Sequence, residues 1–160
     1  MTLPFSMPQN MKIVEAITPQ AGAAITGDYV SLKNAHKAWI VVHVNQANAA
    51  TMAIIIEQAS AVAPTGSKVI TVAVPIWANE DCAASDTLVA QTAAVNFTTS
   101  AAVKHKIVIF EIDPATLDVA NNFDCLCVKT GASNAANITS AMYYLAERYQ
   151  QATPPSAIVD

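Results

Sequence analysis

The feature that most constrains the fold is a set of short segments that are apolar at odd and even positions alike. Residues 39–44 (WIVVHV), 52–56 (MAIII) and 107–112 (IVIFEI) show this pattern. Successive side chains of a β-strand point to opposite faces, so a sheet with one wet face alternates apolar and polar residues. These segments therefore predict strands that are covered on both sides, by a second sheet of the chain and by something outside the chain.

The other β signals are short and are bounded by turn-forming residues. Two of them, 38–44 and 51–58, flank a small polar stretch, so we expect a hairpin over 38–58. Asp113 followed by Pro114 predicts one helical turn near 114–118, with the aspartate as N-cap and the proline in the first position. Strands are predicted over 12–17, 29–32, 38–44, 51–58, 68–74, 87–92, 95–98, 104–112, 123–129 and 138–147.

This series of short strands predicts an all-β fold, a β-sandwich of the jelly-roll type. A helix is the alternative over 83–94 and 135–148, because both segments are rich in alanine. In the second segment Thr139, Tyr143 and Tyr144 favour a strand. Pro75 is expected at a sheet edge or a strand end, because proline cannot donate a ladder hydrogen bond.

The 160 residues fit one domain. We assign residues 11–149 to a single β-sandwich domain. Residues 1–10, with two prolines and little periodicity, are predicted to form an extended N-terminal arm. Residues 150–160 contain Pro154-Pro155 and are predicted to form an extended C-terminal tail.

The charge content argues against several classes of partner. Charged residues make up 12% of the chain and the net charge is −4. The basic residues are scattered and form no stripe, so we expect no nucleic-acid partner. No basic amphipathic helix and no apolar run of about 18 residues is present, so we expect no membrane association. The first residues carry no basic segment ahead of an apolar core, which predicts no signal peptide.

No residue pattern in the chain is typical of a catalytic or metal site. The histidines His36, His43 and His105 lack the spacing of zinc ligands, and no GxSxG turn is present. Cys125 and Cys127 share a face of one predicted strand and are expected to be buried free thiols. We therefore predict no catalytic residue, no metal and no cofactor, and a protein that is not an enzyme.

Six segments spread over the chain form a recognisable combination. They are 27–34 (GDYVSLKN), 39–44 with the polar turn after it, 79–88 (NEDCAASDTL), 122–125 (NFDC), 146–149 (AERY) and 155–160 (PSAIVD). Together they resemble a family of small virion proteins of tailed bacteriophages, similar to capsid decoration (cement) proteins of β-sandwich type. The resemblance covers most of residues 11–160, and none of its segments performs chemistry.

The resemblance implies a protein made in the host cytoplasm that binds the outer surface of the capsid and bridges capsomers. Its implied partners are the major capsid protein and further copies of itself, as a dimer or trimer. The two termini are then expected to be arms that order on contact, with proline lowering the cost of ordering. The predicted interface residues are Leu3, Pro4, Phe5, Ala157, Ile158 and Val159.

Two other functions fit the same sequence. One is another virion component, such as a tail tube, a connector or a fibre base. The other is a carbohydrate- or host-binding β-sandwich module, with Trp39, Trp77, Tyr143 and Tyr144 as candidates for an aromatic platform. Of these we expect Trp39 to pack in the core, because its strand is apolar throughout.

Overall fold

The computed structural model describes residues 6–149 and 154–159, and over these ranges the chain is almost entirely β. A one-turn helix, α1 (Met7–Asn10), precedes the strands. Two 3₁₀ turns, Pro114–Thr116 and Val119–Asn121, lie between the tenth and eleventh strands. The strands are β1 (Met11–Ala21), β2 (Ile25–Thr26), β3 (Val30–Ser31), β4 (Ala35–Asn45), β5 (Ala53–Ala59), β6 (Lys68–Val69), β7 (Val74–Asn79), β8 (Val89–Ala94), β9 (Asn96–Thr98), β10 (His105–Ile112), β11 (Cys125–Thr130) and β12 (Ile138–Glu147).

The strands form two antiparallel sheets. The large sheet has the order β1-β12-β4-β10-β7-β8, and the small sheet has the order β2-β11-β5-β6. Strand β3 continues the line of β2 along β11, and β9 continues the line of β6 along β5. Each of these two pairs is one edge strand with an interruption.

Counting each interrupted pair once gives the eight-strand pattern of a jelly roll. The first, eighth, third and sixth strands form the large sheet, and the second, seventh, fourth and fifth form the small one. The hairpin β7–β8 is inserted within the fifth strand and extends the large sheet at β10. The predicted all-β jelly-roll sandwich is therefore confirmed. Neither alanine-rich segment is a helix: strand β8 forms the second half of 83–94, and β12 forms most of 135–148.

The predicted hairpin over 38–58 is wrong. Strand β4 lies in the large sheet and β5 in the small one, so the connection between them crosses the sandwich. Buried Asn137 fixes this crossing: its side-chain oxygen accepts from the Asn48 N–H at 2.8 Å, and its amide nitrogen donates to the Ala50 carbonyl at 2.9 Å. A short polar connection serves a hairpin and a crossing equally well, so the pattern did not separate them.

The N-terminal segment differs in part from the extended arm that was predicted, and the described part of the tail is attached to the domain. Within the predicted arm 1–10, Met7–Asn10 form a helical turn with Pro8 in its first turn, and residues 1–5 lie outside the described residues. Within the predicted tail 150–160, the described part is 154–159. There the Ala157 carbonyl accepts a hydrogen bond from Ser31 N–H at 2.7 Å, which attaches the tail beside β3.

The core lies between the two sheets. Strands β4, β10 and β12 turn alternate residues inward, so that one side of each strand is buried. Tyr143 of the large sheet connects the layers: its hydroxyl donates to the Asp28 carbonyl at 2.8 Å and accepts from the Val128 N–H at 2.9 Å. The centre of the core includes Ile40, Val42, Val108 and Phe110 from the large sheet and Ile54, Ile56, Leu126 and Val128 from the small one.

Candidate interaction face

The side of the large sheet that points away from the core is apolar across five strands. One row of laterally paired residues runs from β12 through β4 and β10 to β7, and consists of Met142, Val41, Ile109 and Trp77. Side chains opposite each other on neighbouring strands lie about 5 Å apart and share a face. We call this surface the outer face; it comprises Ile13, Trp39, Val41, Trp77, Ile107, Ile109, Met142 and Tyr144.

These side chains are partly open to solvent. Ile13 is 40% exposed and Trp77 is 38% exposed, and the other members are half-buried against one another. Both tryptophans of the chain lie on this face. The second row runs from Ile13 through Tyr144 to Trp39 and ends at Glu111, so the two aromatic residues are neighbours between an aliphatic residue and a carboxylate.

Polar groups border the outer face. Lys37 forms an ion pair with Glu111, with 2.6 Å between Nζ and Oε2, and its Nζ lies 5.3 Å from the centre of the Trp39 ring. On the other side the rings of His43 and His105 are stacked, with their centres 6.4 Å apart. The face thus has an apolar centre and a polar rim.

A shallow depression of about 210 Å³ lies at one end of the outer face. Helix α1 and the start of β1 form one wall of it, through Met7 and Met11. The sheet forms its floor, through Trp39, Val41, Ile109 and Tyr144. The chain therefore enters the fold directly beside the apolar centre of the large sheet.

The small sheet closes its own outer side. Tyr29, Ala59, Cys125 and Cys127 are buried there as a separate cluster, against which Val62 of the following loop packs. Glu57, opposite Cys127 on the neighbouring strand, completes this surface with hydrogen bonds rather than apolar contacts.

Glu57 ties the closed surface together. It accepts from the Tyr29 hydroxyl at 3.0 Å and pairs with Lys129 Nζ at 2.7 Å. Burial raises the pKa of the Cys127 thiol to about 12, so it stays protonated at neutral pH and is a poor nucleophile. As predicted, Cys125 and Cys127 are buried thiols that form no disulfide with the described part of the chain.

A cleft of about 550 Å³ at the end of the sandwich holds several charged side chains. Most of these charges are already paired: Lys33 lies 3.6 Å from Asp124, and Lys37 pairs with Glu111. Across the described ranges 6–149 and 154–159, no group of three or more histidine, cysteine, aspartate or glutamate side chains is placed to hold a metal ion. In the same ranges no helix has the length and apolar character of a membrane span.

One buried cation lies at the opposite end of β10. Lys106 is fully buried, and its Nζ donates to the carbonyl and the hydroxyl of Ser100 at 2.7 and 2.9 Å. Burial lowers the pKa of this amine. Its contacts attach the loop before β10 to the sheet, which is a structural role.

The structure places the predicted interface residues in different environments. Leu3, Pro4 and Phe5 lie outside the described residues. Ala157 is buried in the core of its own chain, whereas Ile158 and Val159 are 56% and 64% exposed. A partner role for the termini stays a prediction.

The aromatic residues separate into two groups. Tyr143 belongs to the core, and Trp39, Trp77 and Tyr144 lie on the outer face. The expectation that Trp39 packs in the core is wrong, because its strand parity points it outward while Ile40 and Val42 point inward. The two-sided apolar pattern was the signal for this face, but it did not say which side of each strand would be open.

Comparison with known proteins gives two solved structures and no sequence match. No family model and no curated protein matches this chain. The crystal structure of the SPBc2 prophage-derived protein YomS is 7% identical, covers 84% of this chain and 92% of its own, and has a TM-score of 0.48. A chain of Desmodium yellow mottle tymovirus is 11% identical, covers 96% and 98%, and has a TM-score of 0.29. Similarity at this level does not assign a function.

Proposed function

We propose that this protein is a non-enzymatic structural protein of a bacteriophage virion, which binds the outer surface of the capsid and bridges capsomers. The observation that carries the proposal is the outer face of the large sheet, where an ordered apolar surface has no cover from the described part of the chain. The resemblance of six sequence segments to capsid decoration proteins is the reason for proposing that the partner particle is a bacteriophage capsid. The partners we propose are the major capsid protein and a second copy of this chain.

The composition of the outer face supports a role in protein contact. The centres of protein interfaces are depleted in charge and enriched in tryptophan, tyrosine and methionine, with polar residues around them. The outer face has Trp39, Trp77 and Tyr144 in or beside its centre and the Lys37–Glu111 pair at its rim. Contiguous exposed apolar patches on single proteins often mark interaction sites.

The rigidity of the face also supports this role. All its residues except Ile13 project from strands that are hydrogen-bonded on both sides, since β12, β4, β10 and β7 are interior strands of the sheet. A surface that is already ordered loses little conformational entropy when a partner binds. The large sheet can therefore serve as a stiff platform between neighbouring capsomers.

The first test is the copy number of this chain in purified virions, measured by quantitative mass spectrometry against the major shell protein. A ratio on the order of one supports decoration of the whole shell, because a surface-wide protein scales with the number of capsomers. A much smaller ratio would indicate a tail, connector or vertex component instead. Absence from the particles would refute both virion functions.

The second test is a pair of matched substitutions in a capsid-binding assay. Trp77→Ser removes an exposed apolar side chain from the outer face, and Val69→Ser removes one that is 40% exposed on the small sheet. A central aromatic contact contributes about 2 kcal/mol or more, so Trp77→Ser should weaken attachment at least about 30-fold. Val69→Ser should leave it unchanged. Equal binding by the two variants would contradict attachment through the outer face.

A carbohydrate-binding module is the second candidate, because three aromatic rings share the outer face. Trp39, Trp77 and Tyr144 present ring surface beside polar groups that include Lys37 and Glu111. A glycan array would decide this candidate: binding that is lost in Trp77→Ser would support it, and an array without hits would remove it.

A further inference from the structure

The large sheet ends in two edge strands of different character. Strand β1 forms one edge and β8 forms the other. β1 carries Lys12, Glu15 and Pro19, and its ladder shifts register on both sides of Ile17. Charges, proline and bulges on an edge strand are the means by which proteins prevent pairing with another chain. The β1 edge is therefore protected.

Both edges of the small sheet are protected as well. Each consists of short strands with an interruption, β2 with β3 on one side and β6 with β9 on the other. Beside β3 the Ser31 N–H already donates to the Ala157 carbonyl, so the tail occupies part of that edge. Short or covered edges offer little backbone to a further strand.

Strand β8 has none of these protections. Residues 87–97 (TLVAQTAAVNF) contain no charge and no proline. The ladder with β7 is regular from Val89 to Gln91 and shifts only between Gln91 and Ala94. An edge strand leaves every second N–H and C=O of its backbone without a ladder partner. Among the four sheet edges of the described chain, β8 is thus the one that is open to a further strand.

The side chains of β8 contribute little to the core. Its first five residues are exposed, with Val89 at 56%, and of the six only Ala94 packs against the core. The loop before β8 is nevertheless held in place, because buried Asn79 donates to the Ser85 carbonyl at 2.7 Å and accepts from the Asp81 N–H at 3.0 Å. An ordered strand that buries almost none of its side chains is suited to a contact outside the chain.

The absence of charge favours a second copy as the occupant of this edge. When a strand pairs antiparallel with its own copy, a twofold axis places each residue opposite a residue of the same segment. Charges in the segment would then meet their own copies near the axis, and like charges opposite each other destabilise a strand pair. A foreign strand imposes no such condition. Residues 87–97 satisfy it in every register.

The area of the outer face also favours a second copy. Four strand spacings by about four residues give on the order of 300 Å², whereas a standard interface needs about 800 Å² on each partner. The twofold axis of an antiparallel edge pair is perpendicular to the sheet, so both outer faces lie on the same side. Two copies present on the order of 600 Å² as one surface, joined through Ala90, which lies opposite Trp77.

We propose that β8 is the site at which two copies of this chain pair, edge to edge and antiparallel, so that their large sheets become one. The inference rests on the proposed function for the identity of its partner, and it adds the surface through which the second copy binds. One strand pair is smaller than a standard interface, so the dimer dissociates on dilution. Chains held side by side on a capsid have a high effective concentration and pair more fully.

Sedimentation equilibrium of the purified protein over a range of concentrations tests the pairing. Val89→Lys combined with Gln91→Lys gives β8 the lysines that protect natural edge strands. The lysines of the two copies face each other across the pair, so the dimer should weaken at least about tenfold. Thr18→Lys combined with Gln20→Lys is the matched control, because both residues are exposed on β1 at the opposite edge. This control should dimerise like the original protein.

Hydrogen exchange locates the contact in the original protein. The outward N–H groups of β8 become hydrogen-bonded in the dimer, so amides of residues 89–94 should exchange more slowly as the protein concentration rises. The amides of β1 should show no such dependence. A protein that stays monomeric up to its solubility limit would overturn the proposal. A dimer that both lysine pairs weaken equally, or that leaves the exchange of residues 89–94 unchanged, would overturn it too.

The outcomes separate this inference from the proposed function. A chain that is abundant in virions but monomeric in solution would refute edge pairing and leave capsid binding intact. A chain that dimerises through β8 but is absent from virions would refute the virion function and leave the pairing intact. If the β8 lysines abolish capsid attachment by a chain that does not self-associate, a strand of the capsid protein occupies the edge, and the second copy is the wrong partner.

Discussion

The two sheets of this sandwich differ in how far the rest of the chain covers their outward-pointing residues. The small sheet buries Cys125 and Cys127 under its own chain and completes the surface with the Tyr29–Glu57–Lys129 contacts. The large sheet carries a broader apolar surface, with Trp77 and Ile13 about two-fifths exposed. Both sheets have apolar residues at outward positions, but only one of them covers those residues with described parts of the chain.

The comparison shows what an apolar outward position means in a sheet. Such a position can mark internal packing, as at Cys127, or a surface without cover from the described residues, as at Val41, where we propose a further contact. The difference is decided by loops that lie far away in sequence, such as the one that brings Val62 over the small sheet. An interaction surface is therefore identified by apolar strand positions that lack cover from the same chain.

The largest expected difference between the two outer sides is in folding stability after the same charge is introduced on each of them. Cys127→Asp puts a carboxylate into the closed cluster, where the nearby cation, Lys129, is already paired with Glu57 at 2.7 Å. An uncompensated buried charge costs about 3–5 kcal/mol, so we expect this variant to lose most of its folding stability. Trp77→Asp should cost about 1 kcal/mol or less, because its carboxylate stays in water.

Urea denaturation followed by far-UV circular dichroism measures both changes. The comparison between the two sides fails if the two variants are destabilised equally. A large loss in Trp77→Asp alone would mean that the open face is covered at least as tightly as the closed one.

The pH dependence of folding stability in alkaline solution tests whether Cys127, on the outer side of the small sheet, is closed off from water. Burial raises the pKa of Cys127 to about 12, while an unfolded cysteine titrates near 8.5. Between these values the unfolded chain has lost a proton that the folded chain keeps, so stability falls as pH rises. This group contributes no pH dependence below the unfolded value, and above it the slope is about 1.4 kcal/mol per pH unit.

Urea midpoints at pH 7.5 and pH 10 test this expectation. The original protein should lose about 2 kcal/mol more between the two pH values than Cys127→Ala does. Cys82→Ala is the control, since Cys82 is half-exposed, and it should behave like the original protein. A Cys127→Ala variant with the same alkaline loss as the original protein would show that the thiol is not closed off from water.

The sequence predicted the strands better than their partners. An apolar run such as 107–112 predicts a strand whichever strands it pairs with, and β10 is observed at His105–Ile112. The pairing of β4 could not be read in this way, because the same polar turn connects strands within one sheet or between two. Jelly-roll connectivity sends β4 and β5 to different sheets, where their inward sides face one core.

Pro75 gives a similar lesson on a smaller scale. Proline was expected at a sheet edge or a strand end, and Pro75 is the second residue of β7, beside the start of the strand, although β7 itself lies between β10 and β8. The residue is accommodated because its ladder is irregular: the pairing with β8 shifts between Val74 and Ile76, and the pairing with β10 begins only at Ile76. A bulge in the ladder leaves the missing N–H of proline without consequence.

The sequence predicted that an apolar contact surface exists, but it did not predict which residues form it. Two-sided apolar strands indicated a partner outside the sandwich, and the outer face provides a surface for one. Which residues form it depends on the lateral order of β12, β4, β10 and β7, which are distant in sequence. Strand parity alone could have placed Trp39 opposite Ile40, but only the register brings it beside Tyr144.

The smallest expected difference concerns two ion pairs of similar length. Glu57 pairs with Lys129 at 2.7 Å on the closed side, and Glu111 pairs with Lys37 at 2.6 Å on the rim of the outer face. The Glu57 side chain is 15% exposed and also accepts from Tyr29, whereas the Glu111 side chain is 27% exposed. Glu57→Gln should therefore cost about 1 kcal/mol, through the loss of a charge-assisted hydrogen bond in a closed setting.

Glu111→Gln is the matched variant on the open side. Partly exposed ion pairs contribute about 0–1 kcal/mol and are screened by salt, so we expect a loss of about 0.5 kcal/mol or less. Chemical denaturation at low and high salt separates the two cases, because the Glu57 variant should keep most of its deficit at high salt. A Glu111→Gln deficit that equals the Glu57→Gln deficit and resists salt would indicate that the rim, and with it the outer face, is already shielded from water in the free protein.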